Sequence, residues 1–205
     1  MDKERLNEYF RLNPNGISAE EMAKIEQEIA RPKEKTISDV TLDFKLWCRG
    51  LPSRQEAFAD YVEKNVPKGS KVLEVGGGRT GRVSRLLADR GYEMTCMDPQ
   101  LEAESDAKVC MRRQEFDCRE VSLAGFDWVV AQEPCEAAEH VIRACLAQNV
   151  PFLLALCGSP HRLISGEMPE DVWDWYRYLG EIDPERMEMD IVKVYTLAGV
   201  VMVRG

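Results

Sequence analysis

"KVLEVGGGRTGRVSRLL", Lys71 to Leu87, sets four glycines into the six positions 76–81, between an apolar run and a run with helical spacing. Outward from the glycines, Lys71 to Val75 has the nearly unbroken apolar character of a strand covered on both faces, and Arg82 to Leu87 opens a helix with one apolar side. Gly76, Gly78 and Gly81 form a G-x-G-x-x-G directly between the two. In that setting the first glycine permits the tight turn, the second lets backbone approach a ligand, and the third lets helix and strand pack closely. A nucleotide-like ligand is expected to lie across the loop.

Downstream, short apolar runs alternate with helical patterns through "RVSRLLADRG", "YEMTCMD", "AKVCMRRQEF", "DWVVA", "CEAAEHVIRACLAQN" and "PFLLALCG". This predicts an α/β fold with a doubly wound, mostly parallel sheet. A further helix is expected around "PEDVWDWYRYLG". Its Trp173, Trp175, Tyr176 and Tyr178 serve packing on the sheet in the plainer reading and an acceptor pocket or partner surface in the sharper one. The closing "MEMDIVKVYTLAGVVMVRG" reads as two apolar strands joined at Leu197-Ala198-Gly199, a hairpin that brings the sheet to seven strands.

Upstream, residues 1–66 read as helices separated by breakers. Pro14-Asn15-Gly16 ends one, Ser18 with Glu21 forms a capping box that opens the next, and Pro32 closes it. "SDVTLDFKLWCRG" places Leu42, Leu46 and Trp47 on one face, and Ser53 with Glu56 opens a last helix with Phe58, Tyr61 and Val62 on one side. The division expected is a helical extension or lid over 1–66 and a ligand-binding domain over 67–205.

The 205 residues are 44% hydrophobic, enough for a real core, and carry a formal charge of -9. That charge argues against holding bulk nucleic acid by general phosphate attraction. Arg79, Arg82, Arg85 and Arg90 follow the glycines at a spacing that suits a solvated helix face. "MDKERLNEYFRLNPNG" lacks the apolar centre of a signal peptide and no run is long enough to span a membrane, so a cytoplasmic protein is expected. Seven scattered cysteines without a CxxC pair suit reduced thiols. The composition is compatible with a homodimer.

Asp98 ends the second strand, where an acid can take both ribose hydroxyls of an adenosine. NAD, FAD and S-adenosylmethionine (SAM) all carry that ribose. Glu74, two residues before the first glycine, would repel the phosphates of a dinucleotide and tolerate a ligand with none.

These stretches resemble the class I SAM-dependent methyltransferases. "VLEVGGGRTG" is similar to their motif I, "YEMTCMD" with Pro99 to motif II, "QEFDC" to motif III and "FDWVVAQEP" to motif IV, over roughly Pro67 to Gly205. The resemblance implies that Glu74 and the backbone of Gly76, Gly77 and Gly78, with Gly81, hold the methionine end and Asp98 the ribose. It further implies that Asp117 and Cys118 flank the adenine, while Gln132 and Glu133 face the transferred methyl. The commoner family loop is G-x-G-x-G, and here Arg79-Thr80 precede Gly81. That keeps a dinucleotide-dependent oxidoreductase as an alternative, beside a SAM-binding protein without turnover.

Methyl transfer from a sulfonium is an in-line displacement, served by alignment and, where required, by a base for the acceptor's proton. Glu133 is the candidate base, and the start of the following helix is its competing use. The family's amino-methylating members carry D/N-P-P-Y/F/W where this chain has Gln132-Glu133-Pro134-Cys135, which argues against methylation of a base amino group, and the acidity of the chain favours a small molecule or a protein as acceptor over bulk nucleic acid. Cys118, Cys135, Cys157 and His161 all fall just beyond predicted strands and could converge on one rim as zinc ligands or a nucleophile. Their spacing matches no known metal motif, so they are read as small buried hydrophobes and no metal is expected.

Overall fold

A computed structural model describes residues 52–195 and 198–205. The expected helices before Pro52 and the hairpin residue Leu197 lie outside them. From Gln55 onward the described chain forms one compact unit. Its elements are α1 (Arg54–Asn65), β1 (Lys71–Val75), α2 (Arg82–Asp89), β2 (Glu93–Met97), β3 (Val109–Arg112), β4 (Trp128–Gln132), α3 (Ala137–Gln148), β5 (Phe152–Ala155), α4 (Val172–Gly180), β6 (Glu188–Tyr195) and β7 (Ala198–Arg204).

The seven strands form one sheet in the order β3-β2-β1-β4-β5-β7-β6. β1 to β5 run parallel, with Leu73 opposite Thr95 on one side and Val129 on the other. β7 runs antiparallel to β5 and β6. This is the expected Rossmann-like α/β sheet with its antiparallel pair at one edge, although Ala198 and Gly199 belong to β7 and not to the turn.

Strand residues alternate between two cores, which explains why the strands read as unbroken apolar runs. Leu73, Val75, Val129, Ala131 and Leu154 face α3 and α4, meeting Val141, Ile142, Trp175 and Leu179. Val72, Met94, Cys96, Val130 and Leu153 face the other way, toward Phe58, Val62, Val83 and Leu87. Phe58 and Val62 are 0% exposed. The expected boundary at residue 66 puts α1 with the preceding helices, whereas these side chains are buried in the sheet's own core.

Two crossovers depart from strand-helix alternation. Residues 98–108 and 113–127 join β2 to β3 and β3 to β4 through turns and extended chain. "PQLEAESDAK" lacks the 3.6-residue apolar period a helix would need to bury a face, and Asp106 turns the chain by accepting from the Lys108 and Val109 amides at 2.8 and 2.9 Å.

Strand order reverses between β1 and β4, and the crevice beyond the carboxyl ends of such a pair is where open α/β sheets bind ligands. The glycine loop leaves β1 there, and Glu133-Pro134-Cys135 leaves β4 beside it.

Candidate functional site

The loop is built around two buried carboxyl groups. α2 begins at Gly81, whose φ of 59° is left-handed and whose missing side chain leaves the helix without a cap of its own. Glu74 reaches up from β1 to supply one: it accepts from the Ser84 amide at 2.8 Å and from the Ser84 hydroxyl. Glu74 is 1% exposed. Burial pushes its carboxyl above the ordinary range, against the pull of the Ser84 hydrogen bonds. Glu74, expected to hold the methionine end of a ligand, lies instead beneath the loop, against the start of α2.

Asp98 ties the loop to β2. Its Oδ2 accepts from the Gly78 amide at 2.8 Å and its Oδ1 from the Gln100 amide at 2.6 Å. A carboxylate offers about four lone-pair positions, so two remain for a ligand hydroxyl. The residues that distinguish this loop from G-x-G-x-G also have a use: the Arg79 carbonyl accepts from the Glu102 and Ala103 amides at 2.9 and 3.2 Å. Arg79 Nε donates to Glu102 at 3.0 Å, which straps the loop to the chain after Pro99.

The space around each glycine separates their roles. A Cβ on Gly76 would stand 3.1 Å from Pro134 Cα, and one on Gly77 only 2.3 Å from Cys96 Sγ. Around Gly78, with φ of 64°, no atom lies within 4 Å of that position, so its backbone presents an open face suited to a close-lying ligand.

Across the crevice the β4 turn is unusual. Glu133 and Cys135 both have left-handed backbones, at φ of 52° and 53°, on either side of buried Pro134. The Glu133 amide donates to the Ala155 carbonyl at 2.8 Å. Burial pushes the Tyr176 phenol up to about 12, with Cys157 and Glu133 adding to the shift.

Asp117 and Cys118 stand after β3. The Arg119 guanidinium beside Asp117 holds its carboxyl well below the usual carboxylate range, and Arg119 Nε lies 2.9 Å from Asp117 Oδ1. The Cys118 amide donates to His140 Nδ1 at 3.2 Å. The four groups that could have converged on one rim separate: Cys135, Cys157 and His161 gather together, while Cys118 lies with Asp117 and His140, and the three cysteines, read as small buried hydrophobes, are each only partly buried. Of the arginines after the loop, Arg79, Arg85 and Arg90 pair with Glu102, Asp106 and Asp60, as a solvated face should.

Trp175 and Tyr176 are buried, so packing is the main work of the α4 aromatics, and Trp173 is exposed. Sequence reading passed over Glu139, which braces this side. The Ile164 amide, Arg143 Nε and the Tyr178 hydroxyl each donate to its carboxylate at 2.8 Å. Burial raises its pKa, but these three donors lower it by more, leaving it below the ordinary value. A carboxyl whose folded pKa is depressed contributes stability that is complete above its unfolded value and is lost as pH falls through the folded one. Glu139→Gln is therefore expected to unfold about 1–3 kcal/mol more easily at pH 7 and to show a smaller further loss below about pH 5 than wild type. Urea titrations at pH 7 and pH 4 read both effects, and parallel losses in the two proteins would refute the brace.

No family model matches the chain. It is 37% identical over 99 residues to siroheme synthase from Pseudomonas fluorescens, a match covering 44% of this chain and 21% of that protein. The chain thus spans about a fifth of the length of that relative. Among solved structures it is similar to a magnesium protoporphyrin IX methyltransferase from Synechocystis with bound SAH, with 13% identity, TM-score 0.49, and 100% of this chain and 99% of that one covered. The glycopeptide N-methyltransferase MtfA complexed with sinefungin matches at 16% identity and TM-score 0.48, covering 74% and 92%. A TehB-like SAM-dependent methyltransferase from Corynebacterium glutamicum matches at 16% and 0.44, covering 78% and 91%.

Proposed function

We propose that the chain is a SAM-dependent methyltransferase whose glycine loop takes a nucleoside sulfonium in preference to a dinucleotide. One observation carries this reading: Glu74 occupies the Ser84 amide at the start of α2. In dinucleotide-binding α/β proteins the pyrophosphate lies on the free amides of that helix N-terminus. Here a buried carboxyl from β1 already takes the Ser84 amide, one of the first-turn donors, so a phosphate brought there finds that donor spent and an acidic side chain beneath it. A ligand without phosphate meets neither obstacle.

The residues present fit such a ligand. The open backbone at Gly78 receives the methionine end, with Gly76, Gly77 and Gly81 keeping the loop close to the sheet. Asp98 takes the ribose through its two remaining lone-pair positions. Asp117 and Cys118 flank the adenine, with Pro99 beside the ribose, and Gln132 and Glu133 face the reacting side. When bound, SAM supplies an electrophilic methyl. Glu133, at the carboxyl end of β4, holds the acceptor in line and takes its proton where one must leave. The acceptor is a small molecule or a protein, consistent with the charge of -9. No described helix is long and apolar enough to cross a membrane.

Calorimetric titration with SAM, S-adenosylhomocysteine (SAH) and NADH tests the cofactor. SAM and SAH are expected to bind one per chain with no heat from NADH, whereas NADH binding alone would replace methyl transfer with redox chemistry.

A further inference from the structure

Cys135 follows β4, Cys157 follows β5, and His161 lies in the loop leading to α4. One donor atom of each lies within 4.8 Å of the other two. His161 Nε2 stands 2.7 Å from Cys157 Sγ. The other ring nitrogen, Nδ1, faces Glu136 Oε1 at 3.7 Å, and the ring stands edge-on to Trp175 with centroids 5.2 Å apart. Backbone around Cys157 is pinned as well, since the Tyr176 hydroxyl donates to its carbonyl at 2.7 Å. Cys135 is presented by a left-handed backbone with φ of 53°.

From this arrangement we infer that Cys135, Cys157 and His161 form a zinc site beside the glycine loop. Two sulfurs and an imidazole are the donors a borderline-soft divalent cation selects. A carboxylate on the far nitrogen of a ligating histidine fixes its orientation and raises its basicity, and Glu136, 3.7 Å from Nδ1, needs only a small shift to take that part. Zinc lies about 2.3 Å from sulfur and about 2.0–2.1 Å from nitrogen, so tetrahedral coordination needs Sγ and Nε2 about 3.6 Å apart. Binding therefore requires Cys157 Sγ and His161 Nε2 to part from 2.7 Å to that spacing. Three protein ligands leave one position for water or another small ligand. Pro134 links the site to the loop, because it precedes Cys135 and packs where a Gly76 side chain would stand.

The second group of similar composition, Asp117, Cys118 and His140, does not qualify. A metal there would have to displace the Cys118 amide from His140 Nδ1 and the Arg119 guanidinium from Asp117, a backbone donor and a charged partner that the first site does not present. That contrast supplies the control.

The test uses the full chain, reduced, chelator-treated and with its free thiols counted, titrated with Co2+ and then displaced by Zn2+. One Co2+ per chain is expected, with the near-ultraviolet charge-transfer band of cobalt thiolate and the strong visible bands of tetrahedral geometry, both lost on adding Zn2+. Cys157→Ser and His161→Ala should weaken Zn2+ binding at least about 100-fold and Glu136→Gln about 10-fold, while Cys118→Ser leaves it unchanged. A reduced wild-type chain without the thiolate band, or a band that disappears in Cys118→Ser and survives in Cys157→Ser, would overturn the assignment. Neither readout involves SAM, so the zinc site and the cofactor reading can fail separately.

Discussion

Gly77→Ala is expected to destabilise the protein by about 3 kcal/mol, an overpacking cost, and to lower its Tm by roughly 6–12 °C. The added methyl would sit 2.3 Å from Cys96 Sγ and 3.2 Å from the Glu74 carboxyl. Neither neighbour can retreat: Cys96 is 0% exposed within β2, and Glu74 is held on Ser84. Thermal melts of the single variant and of Gly77→Ala/Cys96→Ala check the cause, because removing the sulfur should recover at least half of the loss. A Gly77→Ala protein melting with wild type would disprove the packing. Gly78→Ala behaves differently. Its site is open, so only the left-handed backbone is penalised, by about 1–2 kcal/mol. That variant should fold and yet lose SAH binding, because the methyl stands on the face left for the ligand. Adjacent glycines thus separate stability from recognition.

Asp98→Ala is expected to reduce SAH affinity at least about 100-fold. The carboxylate serves two purposes that fail together: it anchors the Gly78 and Gln100 amides, and in the proposed site it accepts from the ribose. Hydrogen bonds to a charged group contribute about 1.5–3 kcal/mol each, so losing the ribose contacts and the ordering of the loop readily accounts for two decades. Asp98→Asn keeps one acceptor oxygen and should fall between the two proteins. Calorimetry with SAH reads the series; an Asp98→Ala chain binding within threefold of wild type would remove Asp98 from the ligand site.

The sheet was legible because the change from helical to strand period at Lys71 is abrupt and the central parallel strands β1, β4 and β5 are buried on both faces. The glycine loop was legible for a different reason, since only glycine meets its combination of turn and close approach. Lateral strand position leaves no mark in the chain, which is why Cys118 was grouped with residues it does not join. It follows β3, at the outer edge, whereas Cys135 and Cys157 follow the adjacent strands β4 and β5. The charge of Glu74 could be read, but its direction could not, because it depends on Gly81 giving α2 no cap and Ser84 standing three residues on. The pairing of Glu139 with Ile164 and Tyr178 likewise depends on where α4 returns to the sheet.

Glycine would settle into positions 133 and 135 without penalty, yet the chain keeps a carboxylate and a thiol there against a backbone preference of roughly 1–2 kcal/mol per residue. The strain falls on either side of Pro134, so some of this small domain's stability is given up in the turn that leaves β4.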